Sequence, residues 1–441
     1  MAPEPPHPLT PYPPLIINAA LTGAVGTREQ VPNLPVTHEQ VVRDAWLCHQ
    51  LGASVLHLHL RDAQGAPDWR PERYGELLAA VRRRCPQAIL CASTSGRTFG
   101  EVERRGAVLS LDGAARPDMA SLTLGSLDFP SGPSVNPPDA VRELARTMRA
   151  SAIRPELEVF DSGMAAEAGR LVAEGVIEPP LYANMIFGGH HTAPATIREL
   201  AHLADTLPPG TIWAAGAIGA FQLKMNALAV FTGGHVRTGL EDNVRLGAAR
   251  EQATNSALVR ASTELATLAG RPVATPAQAR ATLGLDPPPT VEYSIRPAQL
   301  PRDRTSMLDV LRTVNMHMVP SPEMDDFDVG EWFVAESGGR VVGVAGYRVL
   351  RDGPEPTGKT TLLAVYPEER SKGVGRALQE LRMELMRDAG ATRVITNADR
   401  PETIEWYQRH FGYRVVGRLE KVHEFGLLEV DHWTTLEAPL V

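Results

Sequence analysis

The chain has 441 residues, of which 43% are hydrophobic and 22% charged, with a formal net charge of −8. That composition suits globular domains with ordinary cores. The acidic balance excludes nonspecific nucleic-acid binding, which needs clustered Lys and Arg against phosphates, so an anionic ligand must be met by local features such as backbone N–H groups at a helix start.

The first fourteen residues, MAPEPPHPLTPYPP, include seven prolines and predict an extended arm over 1–14. They have neither a basic n-region nor an apolar h-region, so no secretory signal is read there. No later stretch is long and apolar enough to suggest a membrane span. The three cysteines, Cys48, Cys85 and Cys91, show no C-x-x-C spacing, which points away from a disulfide framework or a zinc ribbon. Cys91 lies in an apolar run and reads as a small buried hydrophobe. A reducing, cytoplasmic setting is expected.

From Leu15 to about Gly270, short apolar strands alternate with helical segments. The strands are LIINAALTG, SVLHLHLRD, AILCASTSG, MASLTLGSL, ELEVFDSG, LYANMIFGG, TIWAAGAIG and HVRTGLED, with helices such as HEQVVRDAWLCHQLGA between them. Eight strands in β/α alternation predict a parallel (β/α)8 TIM barrel over 15–284. Polar residues gather at the C-terminal ends of these strands, where such barrels place their active sites. A last helix, TPAQARATLGL, leads to Pro287, Pro288 and Pro289, and a stiff linker is placed at 285–291. Beyond it, adjacent strands (EWFVAESGGRVVGVAGYRVL, KTTLLAVYP) mixed with a few helices predict an α+β domain over 292–441.

In VLHLHLRD, His57 and His59 are two apart on a strand and point to one face, the interior in a barrel. On spacing alone the pair serves equally as a metal site or as two hydrogen-bonded core histidines. Glu241, near the end of the eighth strand, can complete a two-His, one-carboxylate set for Zn2+ or another divalent metal. Asp242 follows it, and Arg237, five residues earlier, should lower the pKa of a nearby carboxylate. Ser93, Thr94 and Gly96 end the third strand, Ser121 lies on the fourth and Glu158 on the fifth. Hydroxyls and accessible backbone N–H groups at such ends suit a carboxylate or phosphate.

These residues carry a resemblance. From about Pro14 to Ala281, the runs AALTGA, PNLPVT, HLHLRD, STSG, VFDSGM and GGHVRTGLEDN resemble the β-keto acid cleavage enzymes, whose founding activity is 3-keto-5-aminohexanoate cleavage. The resemblance implies a zinc-dependent barrel with His57, His59 and Glu241 on the metal. It also implies Ser93, Ser121 and Glu158 at the substrate, and Arg237 with Asp242 as the acid–base centre. It implies a reaction of acetyl-CoA with a β-keto acid, giving acetoacetate and a new acyl-CoA, and a homo-oligomer. Members that take amino-keto acids place an acidic residue after the first strand to meet the ammonium. Here that position is Val25, so the substrate is expected to be uncharged at its far end.

In LLAVYPEERSKGVGRALQELRMELM, Arg370, Gly373 and Gly375 form R-x-x-G-x-G between a strand and a helix. Glycines there let backbone N–H groups approach a pyrophosphate at the helix start. This run resembles the acyl-CoA loop of the GNAT superfamily of N-acetyltransferases, and Asn397 and Tyr407 in ITNADRPETIEWYQRHFGYR extend the likeness. The resemblance implies acetyl-CoA at Val365, Arg370, Gly373, Gly375, Arg376 and Asn397, a V-shaped opening beside TTLLAV, Tyr407 as general acid, and a small amine as acceptor. TTLLAV carries no carboxylate to act as base. The expected protein is a bifunctional enzyme. Two alternatives stay open: a second domain that senses acetyl-CoA without chemistry, and a barrel acting as a metal-dependent aldolase or hydrolase.

Overall fold

The computed structural model describes residues 12–130, 132–316, 318–422 and 426–440. Of the arm expected over 1–14, all but Tyr12, Pro13 and Pro14 lies outside the described residues. The chain divides into two compact units between Thr290 and Val291.

The first unit is a closed barrel of eight parallel strands: β1 (Ile17–Ala20), β2 (Val55–Leu58), β3 (Ile89–Ala92), β4 (Met119–Thr123), β5 (Arg154–Val159), β6 (Tyr182–Phe187), β7 (Ile212–Ala217) and β8 (His235–Thr238). β8 closes on β1, with Asn18 opposite Arg237. All eight predicted strands are present. Helices α1 (His38–Gln50), α2 (Pro71–Arg84), α3 (Pro138–Ala150), α4 (Ser162–Ala173), α5 (Ile197–Thr206), α6 (Gln222–Thr232), α7 (Asn255–Leu268) and α8 (Pro276–Leu283) accompany them. Their starts are written in the sequence: Thr37 and Gln40 form a capping box on α1, as do Thr275 and Gln278 on α8. After β3 no full-length helix forms. The Gly-punctuated, Arg-rich stretch there yields only a short helix, Val102–Arg105, and two 3-10 turns.

The interior is layered by strand alternation. At the N-terminal end, Ile16, Val55, Ile89, Met119, Tyr182 and Ala214 pack against Ala274, Ala279 and Leu283, so α8 and the residues before it plug that end. Further along the strands the interior turns polar: Asn18, His57, Glu156, Asn184 and Arg237 are all buried, beside Cys91. The C-terminal ends open into a cavity.

The second unit is a seven-stranded sheet of β9 (Ser294–Pro297), β10 (Glu331–Ser337), β11 (Arg340–Leu350), β12 (Thr357–Val365), β13 (Arg393–Ala398), β14 (Arg414–Glu420) and β15 (His432–Pro439), in the order β9-β10-β11-β12-β13-β15-β14. Helices α9 (Arg304–Arg312), α10 (Val374–Asp388) and α11 (Pro401–Phe411) join them. Met307, Val310 and Leu311 of α9 pack against Trp332, Val334 and Val344 of the sheet. β12 pairs with β13 in parallel only over Thr357–Lys359 and runs on to Val365 without that partner. The two strands therefore part, and a cleft opens between them. Among the described residues no helix is long and apolar enough to cross a membrane.

Candidate active sites

A cavity of about 440 Å³ sits at the C-terminal mouth of the barrel. His59, Ser93, Glu158, Arg237, Glu241 and Asp242 contribute to its wall. Glu241 reaches inward because it crosses Gly23: a Cβ there would lie 2.8 Å from the Glu241 Cγ, and Gly23 has φ +65°. Arg61, the arginine of HLHLRD, donates to the carbonyls of Gly23 at 2.7 Å and Gly26 at 2.8 Å. It thereby fixes the loop that carries Val25 into the wall.

His57, His59 and Glu241 converge. The two imidazole Nε2 atoms are 3.3 Å apart, and Glu241 Oε2 lies 3.7 Å from that of His57 and 3.3 Å from that of His59. Glu241 Oε2 is buried without a hydrogen-bond partner. Two ligands each about 2.0 Å from a tetrahedral ion lie roughly 3.3 Å apart, so this donor set has the spacing and chemistry of a zinc site.

Beneath it, Glu156 binds the network together. Its Oε2 accepts from His57 Nδ1 at 2.7 Å, and its Oε1 accepts from Asn184 Nδ2 at 2.7 Å and from Asn18 Nδ2. Arg237 donates from Nη2 to Glu241 and from Nε to Asp242, both at 2.9 Å, and its Nη1 lies 3.7 Å from Glu158 and 3.9 Å from Glu156. Burial pushes the His57 imidazole down, but Glu156 and Glu241 override it and raise it to about 9. Burial opposes the Glu156 charge, yet His57 and Arg237 hold that carboxyl at about 2. Glu241 is likewise held well below its ordinary value, against burial, by His59 and Arg237. For Asp242 the balance differs from the sequence-based expectation. Arg237 does pull its pKa down, but burial and the adjacent Glu241 charge outweigh that pull, and the carboxyl is raised. Burial also raises Glu158.

Ser93 reaches the cavity wall. Ser121 does not: it is 1% exposed, and its hydroxyl accepts from the Thr94 backbone N–H at 3.1 Å. Thr123, two residues on and on the same strand face, lines the cavity and donates to Glu158 Oε2 at 2.7 Å. Thr123, Glu156 and Arg61 are the residues that the sequence reading missed. The lining is also apolar at Val25 and cationic at Arg97, whose guanidinium lies 3.8 Å over the Phe129 ring.

In the second unit a cavity of about 770 Å³ is lined by Val365, Arg370, Gly373, Gly375, Arg376 and Tyr407, among others. Gly373 caps α10 with φ +84°, aiming the helix N-terminus at the cleft. Tyr407 Oη accepts from the buried Arg382 at 2.8 Å. Asn397 is not brought to this wall; its Oδ1 accepts from Thr435 on the adjacent β15 at 3.0 Å. Glu402, on the first turn of α11, adds a carboxylate to the lining.

Comparison with known proteins agrees with this architecture. The family model of the β-keto acid cleavage enzymes matches residues 14–285, and that of the GNAT acetyltransferases matches residues 305–413. A 3-oxoadipate:acetyl-CoA acetyltransferase from Cupriavidus necator is 40% identical over 275 residues, 62% of this chain and 95% of that one. A 3-keto-5-aminohexanoate cleavage enzyme from Acetoanaerobium sticklandii is 38% identical over 272 residues, 62% of this chain and 98% of that one. The solved ternary complex of ObcA with a C4-CoA adduct and oxalate shares the fold at TM-score 0.50 and 22% identity, covering 58% of this chain and 68% of that one. The chain is an enzyme that belongs to the β-keto acid cleavage family and carries a C-terminal GNAT acetyltransferase domain.

Proposed function

We propose that the barrel joins acetyl-CoA to a β-keto acid and releases acetoacetate and a new acyl-CoA, with Zn2+ or another divalent ion held by His57, His59 and Glu241. The observation that carries this is the buried, unpartnered Glu241 Oε2 facing two imidazole Nε2 atoms at the cavity wall. When bound, the ion polarises the keto oxygen. Asp242 moves the proton at the carbon between keto and carboxylate groups, and Arg237 Nε orients it. Thr123 orients Glu158, and Ser93 offers its hydroxyl to the substrate.

The lining at Val25 and Arg97 bears on the substrate. Val25 offers an ammonium no partner, and Arg97 repels it. A neutral or anionic far end fits better, in keeping with a relative named for 3-oxoadipate, which has a second carboxylate. In the second unit, acetyl-CoA lies on the Gly373–Gly375 loop and Tyr407 protonates the departing thiolate, its oxygen held by Arg382. The two units are coupled if the second acetylates an amine on the substrate: the N-acetyl product has lost the charge that the barrel wall rejects. The absence of a carboxylate on TTLLAV favours a second reading, acetyl-CoA sensing without chemistry.

The test is a mass-spectrometric screen of β-keto acids with acetyl-CoA, before and after chelation. Acetoacetate and the matching acyl-CoA should form only with metal. Turnover without acetyl-CoA would point to an aldolase or hydrolase instead. Comparing kcat/KM for free-amino and N-acetylated forms of one β-keto acid tests the coupling, and a preference for the free amine refutes it. Acetyl transfer to any of a panel of amines rules out the sensing reading.

A further inference from the structure

Among the described residues, two groups bring three metal-capable atoms within 4.8 Å of one another: His57, His59 and the half-buried Glu241, and the fully buried His57, Cys91 and Glu156. They share His57 and use opposite nitrogens of its ring. Nε2 faces His59 and Glu241, at 3.3 and 3.7 Å, while Nδ1 faces Glu156, at 2.7 Å. The nitrogen that keeps its proton when an ion binds decides which group holds the ion.

We propose that Glu156 is a positioning residue for the metal centre: it accepts the Nδ1 proton of His57 and so fixes the tautomer whose Nε2 lone pair faces His59 and Glu241. This rests on reading those three residues as the metal ligands. Three observations support it. First, both Glu156 oxygens are occupied by donors. Oε1 accepts from the carboxamides of Asn18 and Asn184, and Oε2 accepts from His57 Nδ1 at 2.7 Å and Cys91 Sγ at 3.3 Å. A carboxylate can only accept, so the two asparagines turn their NH2 groups toward it and leave their own Oδ1 atoms without partners. An ion on this carboxylate would displace donors already in place. Second, His59 and Glu241 line the cavity, whereas Cys91 and Glu156 do not, so only the first group meets a substrate. Third, an anionic partner on the far ring nitrogen makes the near one a better metal donor, and such partners matter to affinity by about 10–100-fold.

Glutamine at 156 removes the anion in either orientation. With its NH2 toward Asn18 and Asn184, both carboxamides must flip to accept and His57 faces a neutral oxygen; the other orientation turns the NH2 toward His57 Nδ1. In the second case the ring proton moves to Nε2 and the lone pair is lost.

The experiment measures the zinc Kd of the full chain by competition with a chromophoric chelator, for the wild type and Glu156→Gln. Circular dichroism and thermal unfolding check that the variant is folded. About 10–100-fold weaker binding in folded Glu156→Gln is expected. Unchanged affinity overturns the inference and leaves the metal reading standing. A wild type that binds no zinc removes both. A second measurement needs no variant. Long-range 1H–15N correlation of the zinc-loaded, histidine-labelled wild type should show, among the rings whose signals change on chelation, His57 protonated at Nδ1 and metal-bound at Nε2. The reverse pattern places the ion with Cys91 and Glu156 and overturns the inference.

Discussion

Replacing Asp242 by Asn tests the division of labour at the barrel mouth most directly. The substitution keeps the size of the side chain and an oxygen to accept from Arg237 Nε, now 2.9 Å away. It removes the basic carboxylate and one of four negative partners of Arg237, leaving Glu156, Glu158 and Glu241. The metal-ligand atoms belong to other residues, so metal content should stay near one per chain. General acid–base groups contribute about 10²–10⁴-fold, or about 2.7–5.4 kcal/mol of barrier at roughly 1.36 kcal/mol per tenfold. The assay is acyl-CoA formation at saturating substrates, followed by mass spectrometry, with metal measured by elemental analysis on the same sample. Turnover within tenfold of the wild type at full metal content would remove Asp242 from proton transfer. Loss of metal along with turnover would show that ligation and acid–base chemistry are not separable here.

The His57→Ala, His59→Ala double variant should lose its metal and its barrel activity while the second unit still binds acetyl-CoA by calorimetry; full metal occupancy refutes the ligand assignment. Gly373→Val places a branched side chain at φ +84°, a left-handed conformation that costs an L-residue about 1–2 kcal/mol, at the cap of α10. It should abolish acetyl-CoA binding by the second unit and spare cleavage by the barrel; joint loss in a folded protein, through a shared CoA site or tight coupling, refutes their separation. His235 accepts from the Ile16 N–H at 2.9 Å, and burial followed by Arg271 pushes it down to about 3. The unfolded chain therefore takes up this proton first, below about pH 6.5, and the group's contribution to stability is complete above that pH and lost as pH falls. Urea unfolding should show about 2 kcal/mol less from this group at pH 5 than at pH 7, a drop that His235→Asn, which keeps an acceptor, should remove.

The barrel strands were legible because each is a short apolar run bounded by turn residues, and because helix-period segments separate them. His57 and His59 were legible for the same reason: alternation fixes which face they share. Depth along a strand was not. Ser121 and Thr123 share a face, and only the crossing of Thr94 over Ser121 shows which hydroxyl is used up in the wall. Glu156 obeys the same alternation as Glu158, but its partner His57 lies 99 residues away in sequence. No local pattern reports that meeting; two carboxylates on one face of a barrel strand were the available signal. Asn397 shows the converse. Its motif context is right, yet its oxygen is taken by Thr435 through the register of β13 and β15, which is set 38 residues away.

Two buried ion clusters in the barrel differ in a way that separates scaffold from site. At the closed end, Arg82 and Arg280 both reach Asp118, at 3.1 and 2.9 Å. Further donors go to backbone carbonyls of Ala114, Arg116, Ala88 and Asp286, while Arg82 Nη1 and Arg280 Nε are buried without a partner. Cationic excess there is met in part by permanent dipoles, which suits a structural tie between α2, α8 and the start of β4. At the mouth the imbalance has the opposite sign. One guanidinium, Arg237, faces Glu156, Glu158, Glu241 and Asp242 within 3.9 Å. Buried charge without compensation costs several kcal/mol per ion. Stability alone would favour replacing one of these carboxylates by an apolar residue. Burial answers part of the excess by pushing Asp242 and Glu158 toward the neutral form. His57, raised by Glu156 and Glu241, answers another part, and one Glu241 oxygen, which faces two imidazoles, is left without a hydrogen-bond partner. A divalent cation there would supply positive charge beside this carboxylate, and on the proposed reading metal affinity and barrel stability would draw on the same electrostatic deficit.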